Sequence, residues 1–334
     1  MPESSPALQV EELRVSFLPH GTRGGCRPSI AVRGVSLAVA PRECLGIVGE
    51  SGSGKTQLFL AALGLLPPRS VATGRVRFEG ADILGEPPDR LNLVRGSRVS
   101  MIFQDPMTAL TPHMRIGAQI AESLVHHAGA SWRDAEREAL RMLERVSVPE
   151  AGRRMRQYPH ELSGGLRQRV TIGMSLICGP ALLIADEPTT ALDVTVQAQI
   201  IELLRSMRSE VGMSLVLISH DLAVVGQLAE RIAVMYAGRI VECGPARQIL
   251  HAPRHPYTAG LLACTPDLTR PLAARMPTLG GQPPGPAEEI RGCAFAPRCP
   301  RAAERCGVER PQLESRTSAG GAEAAVACHF PLLP

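Results

Sequence analysis

The sequence contains no apolar run long enough to cross a bilayer. The longest, residues 58–66, is interrupted by Gly64 and falls well short of the ~20 residues that a membrane-spanning helix needs. The first residues contain neither a basic segment nor an apolar one, so they are not typical of a secretory signal. These absences predict a protein that stays in the cytoplasm and reaches a membrane only through a partner.

The sequence also lacks blocks of positive charge. It has 36 Lys and Arg against 32 Asp and Glu, a net charge of +4, and its arginines are scattered along the chain. Proteins that follow a nucleic-acid backbone usually concentrate their basic residues, so this pattern does not indicate a nucleic-acid partner. With 44% hydrophobic and 20% charged residues, the composition is that of an ordinary globular protein that can bury a core.

The nine cysteines do not indicate a disulfide framework, because their number is odd and no secretory signal precedes them. Five are isolated and are predicted to be small buried or loop residues: Cys26, Cys44, Cys178, Cys243 and Cys264. The other four form a group near the C-terminal end: Cys293, Cys299, Cys306 and Cys328. Four thiolates can bind tetrahedral Zn²⁺ or an iron–sulfur cluster, and these spacings match neither the usual zinc pattern nor the common ferredoxin pattern.

Short apolar stretches alternate with longer amphipathic ones up to about residue 253, which predicts an α/β domain. Four nearly continuous apolar runs suit strands buried on both faces of a parallel sheet: residues 44–48, 99–103, 181–185 and 215–219. Three runs alternate at least in part, as half-buried antiparallel strands at a sheet edge do: residues 13–17, 30–39 and 76–78.

Residues 116–148 show helical periodicity, which predicts an inserted helical subdomain over about residues 105–178. Prolines become frequent after residue 249 and would interrupt any long helix there. We therefore predict a large domain over residues 1–253 and a small second domain over residues 254–334, a division that suits a chain of 334 residues.

A phosphate-binding loop is the first motif that carries chemistry. Residues 49–56 read G-E-S-G-S-G-K-T, which matches G-x-x-x-x-G-K-[ST] throughout, between an apolar strand and an apolar helix. In such a loop, backbone N–H groups point at phosphate oxygens, Lys55 reaches the β- and γ-phosphates, and the Thr56 hydroxyl binds Mg²⁺. The predicted nucleotide-binding residues here are Gly49, Ser51, Gly52, Ser53, Gly54, Lys55, Thr56 and Gln57.

Two carboxylates follow the apolar strand at residues 181–185. Asp186 is predicted to join the Mg²⁺ shell, and Glu187 to act as the general base that orients and deprotonates the attacking water. His220 follows another apolar strand and is predicted to reach the γ-phosphate. Phosphoryl transfer depends on positioning and on charge stabilisation, and this set supplies a lysine, a metal site and a water-orienting group.

Residues 162–169 read Leu-Ser-Gly-Gly-Leu-Arg-Gln-Arg and resemble the signature motif of the ATP-binding-cassette (ABC) ATPases, which other phosphate-loop ATPases lack. A serine and two glycines at the start of a helix form a site suited to an anion. The resemblance implies that Ser163, Gly164 and Gly165 complete the ATP site of a partner subunit in a head-to-tail dimer.

Further ABC motifs follow in order. Gln104 resembles the Q-loop glutamine, which touches Mg²⁺, Asp193 the D-loop aspartate, and His220 the H-loop histidine. Phe17 takes the place of the aromatic residue that stacks on adenine, although it could equally belong to the core. Residues 18–29 make the stretch after it longer and more basic than the family pattern. The implied fold is an ABC ATPase core with an antiparallel β edge, a helical signature subdomain and a small cysteine-containing C-terminal domain.

Within the ABC family, the chain most resembles the ATPases of the oligopeptide/dipeptide/nickel importers, of the D type. The similarity lies in residues 49–55, 104–106, 185–198 and 255–258, and in the C-terminal region. It implies a peripheral subunit on the cytoplasmic face of the inner membrane, paired as a heterodimer with a second ABC ATPase. It also implies two membrane permease subunits and an extracytoplasmic solute-binding protein.

The same resemblance implies a [4Fe-4S] cluster at the four grouped cysteines, with Zn²⁺ as the alternative. It implies ATP hydrolysis coupled to uptake of peptides, or of a related solute such as nickel. A soluble ABC ATPase that acts on nucleic acid is the rival prediction, although such proteins usually carry two cassettes and only one phosphate loop and one signature occur here.

Overall fold

The computed structural model describes residues 5–19, 28–105, 109–190, 192–264, 278–317 and 323–333. Cys26, Pro106 and most of residues 18–29 lie outside these ranges, so the predictions for them stay untested. The strands are β1 (Leu8–Phe17), β2 (Ser29–Val39), β3 (Cys44–Val48), β4 (Ser70–Phe78), β5 (Ala81–Asp82), β6 (Val99–Ile102), β7 (Leu182–Asp186), β8 (Ser214–Ser219), β9 (Arg231–Tyr236), β10 (Arg239–Pro245), β11 (Glu314–Thr317) and β12 (Glu323–Val326).

The α-helices are α1 (Lys55–Ala62), α2 (Pro88–Asn92), α3 (Ile116–Ala128), α4 (Trp132–Arg145), α5 (Ala151–Arg154), α6 (Gly164–Leu176), α7 (Val194–Val211), α8 (Leu222–Gly226), α9 (Ala246–His251), α10 (Pro256–Cys264) and α11 (Glu304–Val308). Short 3₁₀ turns occur at Pro159–Glu161 and Ala296–Arg298. The chain divides into two compact units, which we call the signature unit (residues 1–7, 39–43 and 85–218) and the phosphate-loop unit (residues 8–38, 44–84 and 219–334). This division cuts across the predicted boundary at residues 253 and 254, which stays a prediction.

In the signature unit, β6, β7 and β8 run parallel to one another, with Val99 beside Leu182 and Leu182 beside Ser214. Every residue of β7 and β8 is buried, which confirms the prediction of strands covered on both faces. Two predicted strand residues lie outside the strands: β7 begins at Leu182, after Ala181, and β6 ends at Ile102, before the exposed Phe103.

The predicted helical stretch of the signature unit forms α3 and α4. Gly129 ends α3 in the left-handed conformation, and the Ser131 hydroxyl caps α4 by accepting from the Asp134 N–H. The buried residues of α4 recur at helical spacing on one face: Ala135, Ala139, Met142 and Leu143. That face packs on α6, where a Cβ added to Gly173 would lie 3.3 Å from Met142. The packing therefore fixes the helix that carries the signature residues.

The phosphate-loop unit contains two arrangements of strands. In the first, β3 runs parallel to β9, and β10, β12 and β11 follow as antiparallel neighbours. In the second, the order is β2-β1-β4-β5, with Leu8 opposite Phe78 and Phe17 opposite Ser70. The three alternating runs were predicted as half-buried antiparallel strands at a sheet edge, and they lie in this four-stranded sheet as parts of β1, β2 and β4. Their half-buried pattern leaves one face to pack and one to solvent.

Within the described ranges, no helix combines the length and the apolar character of a membrane span.

Candidate functional site

The phosphate-binding loop connects β3 to α1 in the phosphate-loop unit. Gly54 precedes α1 in the left-handed conformation, with φ of 97°, and a Cβ there would lie 2.3 Å from the Ala31 carbonyl oxygen. Lys55 is only 5% exposed, and its Nζ donates to the carbonyl oxygens of Gly49 at 2.7 Å and Glu50 at 3.0 Å. The loop is thus curled around its own lysine, which holds the ammonium group at the start of α1.

Two buried polar atoms indicate that the loop region is a ligand-binding site. Ser53 Oγ and Gln57 Oε1 are buried and have no hydrogen-bond partner within the described part of the chain. Buried polar atoms nearly always have a partner, and an unsatisfied group costs about 1–3 kcal/mol. A phosphate group at the start of α1, with its associated water, would supply acceptors and donors there. The residues present therefore fit a nucleotide phosphate.

The two carboxylates predicted to serve catalysis lie in the signature unit. Asp186 ends β7 and is 1% exposed, and the next residue, Glu187, has a left-handed backbone with φ of 47°. A non-glycine residue in this region carries strain, which occurs often at functional sites. The Glu187 N–H donates to the Ile218 carbonyl at 2.9 Å, which ties this strained residue to β8.

The Glu187 carboxylate is held by two neighbours in the same unit. Gln104 Nε2 donates to Glu187 Oε2 at 3.3 Å, and the Thr190 hydroxyl donates to the same oxygen at 2.8 Å. The structure thus brings together two predicted residues, Gln104 and Glu187. Thr190 was not predicted as a site residue, although a threonine three residues after a carboxylate at a strand end is a signal that could have indicated it.

The signature residues begin α6. The Ser163 hydroxyl accepts from the Leu166 N–H at 3.4 Å, and Ser163 and Gly164 are exposed. A Cβ on Gly164 would meet only Leu192, at 3.8 Å. Asp193 caps α7 by accepting from the Val196 N–H at 2.9 Å. The start of α6 is therefore open at the surface of this chain, as binding of an anion that another molecule carries would require.

Two predicted residues of the phosphate-loop unit lie at strand ends. His220 directly follows β8 and is exposed. Phe17 is the last residue of β1 and is partly buried, so it is neither a fully buried core residue nor a free ring. Its stacking on adenine stays a prediction.

The four grouped cysteines line one pocket of the phosphate-loop unit, together with Phe295 and Phe330: they are Cys293, Cys299, Cys306 and Cys328. Burial raises the pKa of the thiols of Cys293, Cys299 and Cys328, and the neighbouring cysteines raise it further. Among the described residues, no three or more His, Cys, Asp or Glu side chains converge as a single metal ion requires. The four cysteines therefore line a common pocket.

The comparisons with known proteins cover most of the chain. A family model described as "ABC transporter" matches residues 32–190, and one described as "Oligopeptide/dipeptide transporter, C-terminal region" matches residues 241–306. The oligopeptide transport ATP-binding protein OppD of Salmonella typhimurium is 48% identical over 92% of this chain and 90% of its own length. OppD of Escherichia coli is 47% identical over 94% and 91%. A putative peptide import ATP-binding protein of Brucella abortus is 48% identical over 92% of each.

Solved structures agree with these relatives. The dimeric bacterial ABC transporter cassette MJ0796 matches with a TM-score of 0.63 and 25% identity, over 72% of this chain and 99% of that one. The cbiO1 protein of Clostridium perfringens, part of the ABC transporter complex cbiONQ, matches with a TM-score of 0.61 and 26% identity, over 74% and 91%. The predicted ABC fold is confirmed, and the rival prediction of an ATPase acting on nucleic acid receives no support.

Proposed function

Because this chain belongs to the family of ATP-binding subunits of oligopeptide-type ABC transporters, we propose that it hydrolyses ATP to drive the import of peptides. One observation carries the proposal: a phosphate loop, an ABC signature and an oligopeptide/dipeptide-type C-terminal region occur in one chain. The subunit acts at the cytoplasmic face of the inner membrane. Two permease subunits and an extracytoplasmic solute-binding protein complete the importer.

The residues of the loop bind and orient ATP. Lys55 exchanges its contacts with the Gly49 and Glu50 carbonyls for the β- and γ-phosphate oxygens, at little cost in reorganisation because its Nζ is already at the loop. The Thr56 hydroxyl, Asp186 and Gln104 would hold Mg²⁺, which supplies neutralisation of the charge that develops on the phosphates. Hydroxyl, amide and carboxylate oxygens are the kind of ligand that Mg²⁺ prefers.

Glu187 acts as the general base. Its carboxylate is oriented by the Gln104 amide and the Thr190 hydroxyl, and in this role it accepts the proton of the attacking water. His220 contacts the γ-phosphate, and Phe17 stacks on adenine. Ser163 and Gly165 at the open start of α6 bind the γ-phosphate held by the other ATPase subunit.

The other ATPase is proposed to be a different chain. The threonine pair Thr189-Thr190 and the signature sequence resemble the D type of the family, which pairs with a non-identical partner. The two subunits of such a pair form a heterodimer in which ATP binds at the interface and favours association.

The four cysteines are proposed to hold a [4Fe-4S] cluster. A tetrahedral zinc site and a four-iron cluster both need four thiolates that face one cavity. The four thiols line one pocket. The resemblance to the D-type importer ATPases favours the cluster over Zn²⁺. A structural or regulatory role fits such a cluster better than a catalytic redox role.

The test is affinity purification of the tagged chain from native membranes under anaerobic conditions. We expect two permeases and a second ABC ATPase to co-purify, ATP hydrolysis that Lys55→Ala abolishes, and about four irons per chain with absorption near the blue end of the visible range. Recovery of the chain with nucleic acid, and without permeases or a second ATPase, would refute the transport proposal. One zinc per chain in place of iron would refute the cluster alone.

A further inference from the structure

We propose that Arg298, with Tyr257, is a positioning residue for the phosphate-binding loop, so that the segment between Cys293 and Cys299 sets the affinity for ATP. The inference rests on the proposed ATPase function. It adds that the C-terminal region, in which no ATP-site residue was predicted, contributes to nucleotide binding through one residue of the loop, Glu50.

Glu50 is the residue of the phosphate-binding loop that contacts Arg298 and Tyr257. Both oxygens of its carboxylate accept from the Arg298 guanidinium, at 2.7 and 2.9 Å, in a bidentate pair. Its backbone N–H donates to the Tyr257 hydroxyl at 2.9 Å. Its backbone carbonyl accepts from Lys55 Nζ at 3.0 Å and from the Ser53 N–H at 3.2 Å. One residue thus links the C-terminal segment to the lysine and the serine of the phosphate site.

Arg298 is held rigidly in place for this role. Its side chain is 3% exposed, against 28% for Glu50, and the carboxylate beside it raises the pKa of the guanidinium. Arg298 Nε donates to the Gly280 carbonyl at 2.8 Å, and the guanidinium lies over the rings of Tyr236 and Phe295, 5.7 and 5.8 Å from their centres. A buried arginine with this many partners has few other positions, so it fixes the carboxylate that it binds.

The aromatic neighbours connect this arginine to Tyr257. The Tyr257 ring is fully buried, 4.6 Å from the Tyr236 ring and 5.4 Å from the Phe295 ring. Phe295 directly precedes the 3₁₀ turn Ala296–Arg298, in which the Ala296 N–H donates to the Cys293 carbonyl and the Arg298 N–H to the Phe295 carbonyl. Hydrogen bonds and ring packing thus join the turn, the ring cluster and Glu50, so a displacement of one of them disturbs the contacts of the others.

The physical consequence concerns the backbone N–H groups of the loop. These groups bind phosphate well only if they already point inward before ATP arrives, since ordering them on binding would cost affinity. Without the Arg298 pair and the Tyr257 hydroxyl, Glu50 keeps only its contacts inside the loop. The loop then samples more conformations, and the loss appears as weaker ATP binding with the chemical step largely intact.

Arg298→Met and Tyr257→Phe in the full-length chain test the proposal, by titration with a fluorescent ATP analogue. We expect Kd to rise about tenfold, equivalent to 1.4 kcal/mol, in each variant. Arg298→Lys should lie between wild type and Arg298→Met, because lysine keeps the charge but cannot form the bidentate pair. In the assembled transporter, KM for ATP should rise with kcat little changed, and the Glu50 amide should exchange hydrogen faster.

Arg305→Met is the matched control. Arg305 lies in the same C-terminal region and also forms a bidentate pair, with Glu309 at 2.6 and 2.8 Å, but on an exposed surface. It should leave Kd and KM at the wild-type values. If Arg298→Met does not fold, Glu50→Gln weakens the pair from the loop side and should raise Kd in the same way. If Arg298→Met folds, the Kd of the double variant Arg298→Met/Glu50→Gln should be no higher than that of the weaker-binding single variant.

The outcomes separate this proposal from the one it rests on. Wild-type protein that does not bind ATP would refute the ATPase function itself. Wild-type protein that binds ATP, lost in Lys55→Ala, together with Kd values within about twofold of wild type in Arg298→Met and Tyr257→Phe, would refute the positioning role alone.

Discussion

Replacing Gly49 by alanine should displace the phosphate-binding loop. A Cβ at this position would lie 2.2 Å from the Met235 carbonyl oxygen and 2.8 Å from Ser53 Oγ. Carbon and oxygen atoms in contact are normally about 3.3 Å apart, so the loop has to move by about 1 Å. Met235 belongs to the buried strand β9 and cannot yield easily, so we expect the loop to move instead.

A displacement of about 1 Å in a positioned site can lower the rate about 100-fold, which corresponds to roughly 2.7 kcal/mol of lost transition-state stabilisation. We therefore expect kcat/KM for ATP hydrolysis by the assembled transporter to fall about 100-fold in Gly49→Ala. Thermal unfolding of the purified chain should confirm that the variant is folded.

Gly152→Ala is the control, because a Cβ at that glycine meets no atom within 4 Å and its backbone is not left-handed. It should leave kcat/KM unchanged. Activity of Gly49→Ala within about threefold of wild type would contradict the steric argument and the 1 Å displacement drawn from it.

Three further changes test other parts of the structure. Glu187→Gln should retain ATP binding and lower kcat by at least about 100-fold, whereas the exposed Glu202→Gln in the same unit should have no effect; equal turnover in both variants would contradict the assignment of the base. Asp193→Ala removes the cap that accepts the Val196 N–H and should lower the free energy of unfolding by about 1 kcal/mol in thermal melts, while Asp193→Ser should restore most of it. Burial raises the pKa of the Glu242 carboxyl above its ordinary value of 4.5. At a pH between the ordinary and the raised pKa, the folded protein binds a proton at Glu242 that the unfolded chain releases. The contribution of Glu242 to stability therefore falls as the pH rises above 4.5 and through the raised pKa. The difference in melting temperature between wild type and Glu242→Gln should therefore favour wild type more at pH 5 than at pH 8, and a difference independent of pH would contradict the shift.

The local parts of the candidate site could be predicted from the sequence. The loop at residues 49–56, the carboxylates Asp186 and Glu187, and the signature helix α6 each depend on neighbouring residues along the chain. A backbone that must curl or begin a helix limits the residue types at each position, so a short pattern is enough. The buried strands were predicted for a similar reason, since a strand covered on both faces is apolar throughout.

The contacts around these motifs could not be predicted in the same way. Glu187 is oriented by Gln104, 83 residues earlier, as well as by the nearby Thr190. Arg298 binds Glu50 across 248 residues, and no periodicity or motif relates the two. The strand β12, near the C-terminal end, pairs with β10, which a composition rich in proline and alanine did not indicate.

The sequence by itself determined which residues are candidates for the chemistry of this protein: a phosphate loop, a predicted magnesium carboxylate, a proposed general base and a signature serine, each encoded in a few consecutive residues. The tertiary structure alone decided what holds those groups in place, namely the amide and the hydroxyl at Glu187 and the buried arginine and tyrosine at Glu50. The physical reason is that local backbone preferences act between neighbours in the chain. Burial and hydrogen bonding act between neighbours in space, and only the folded chain brings those together.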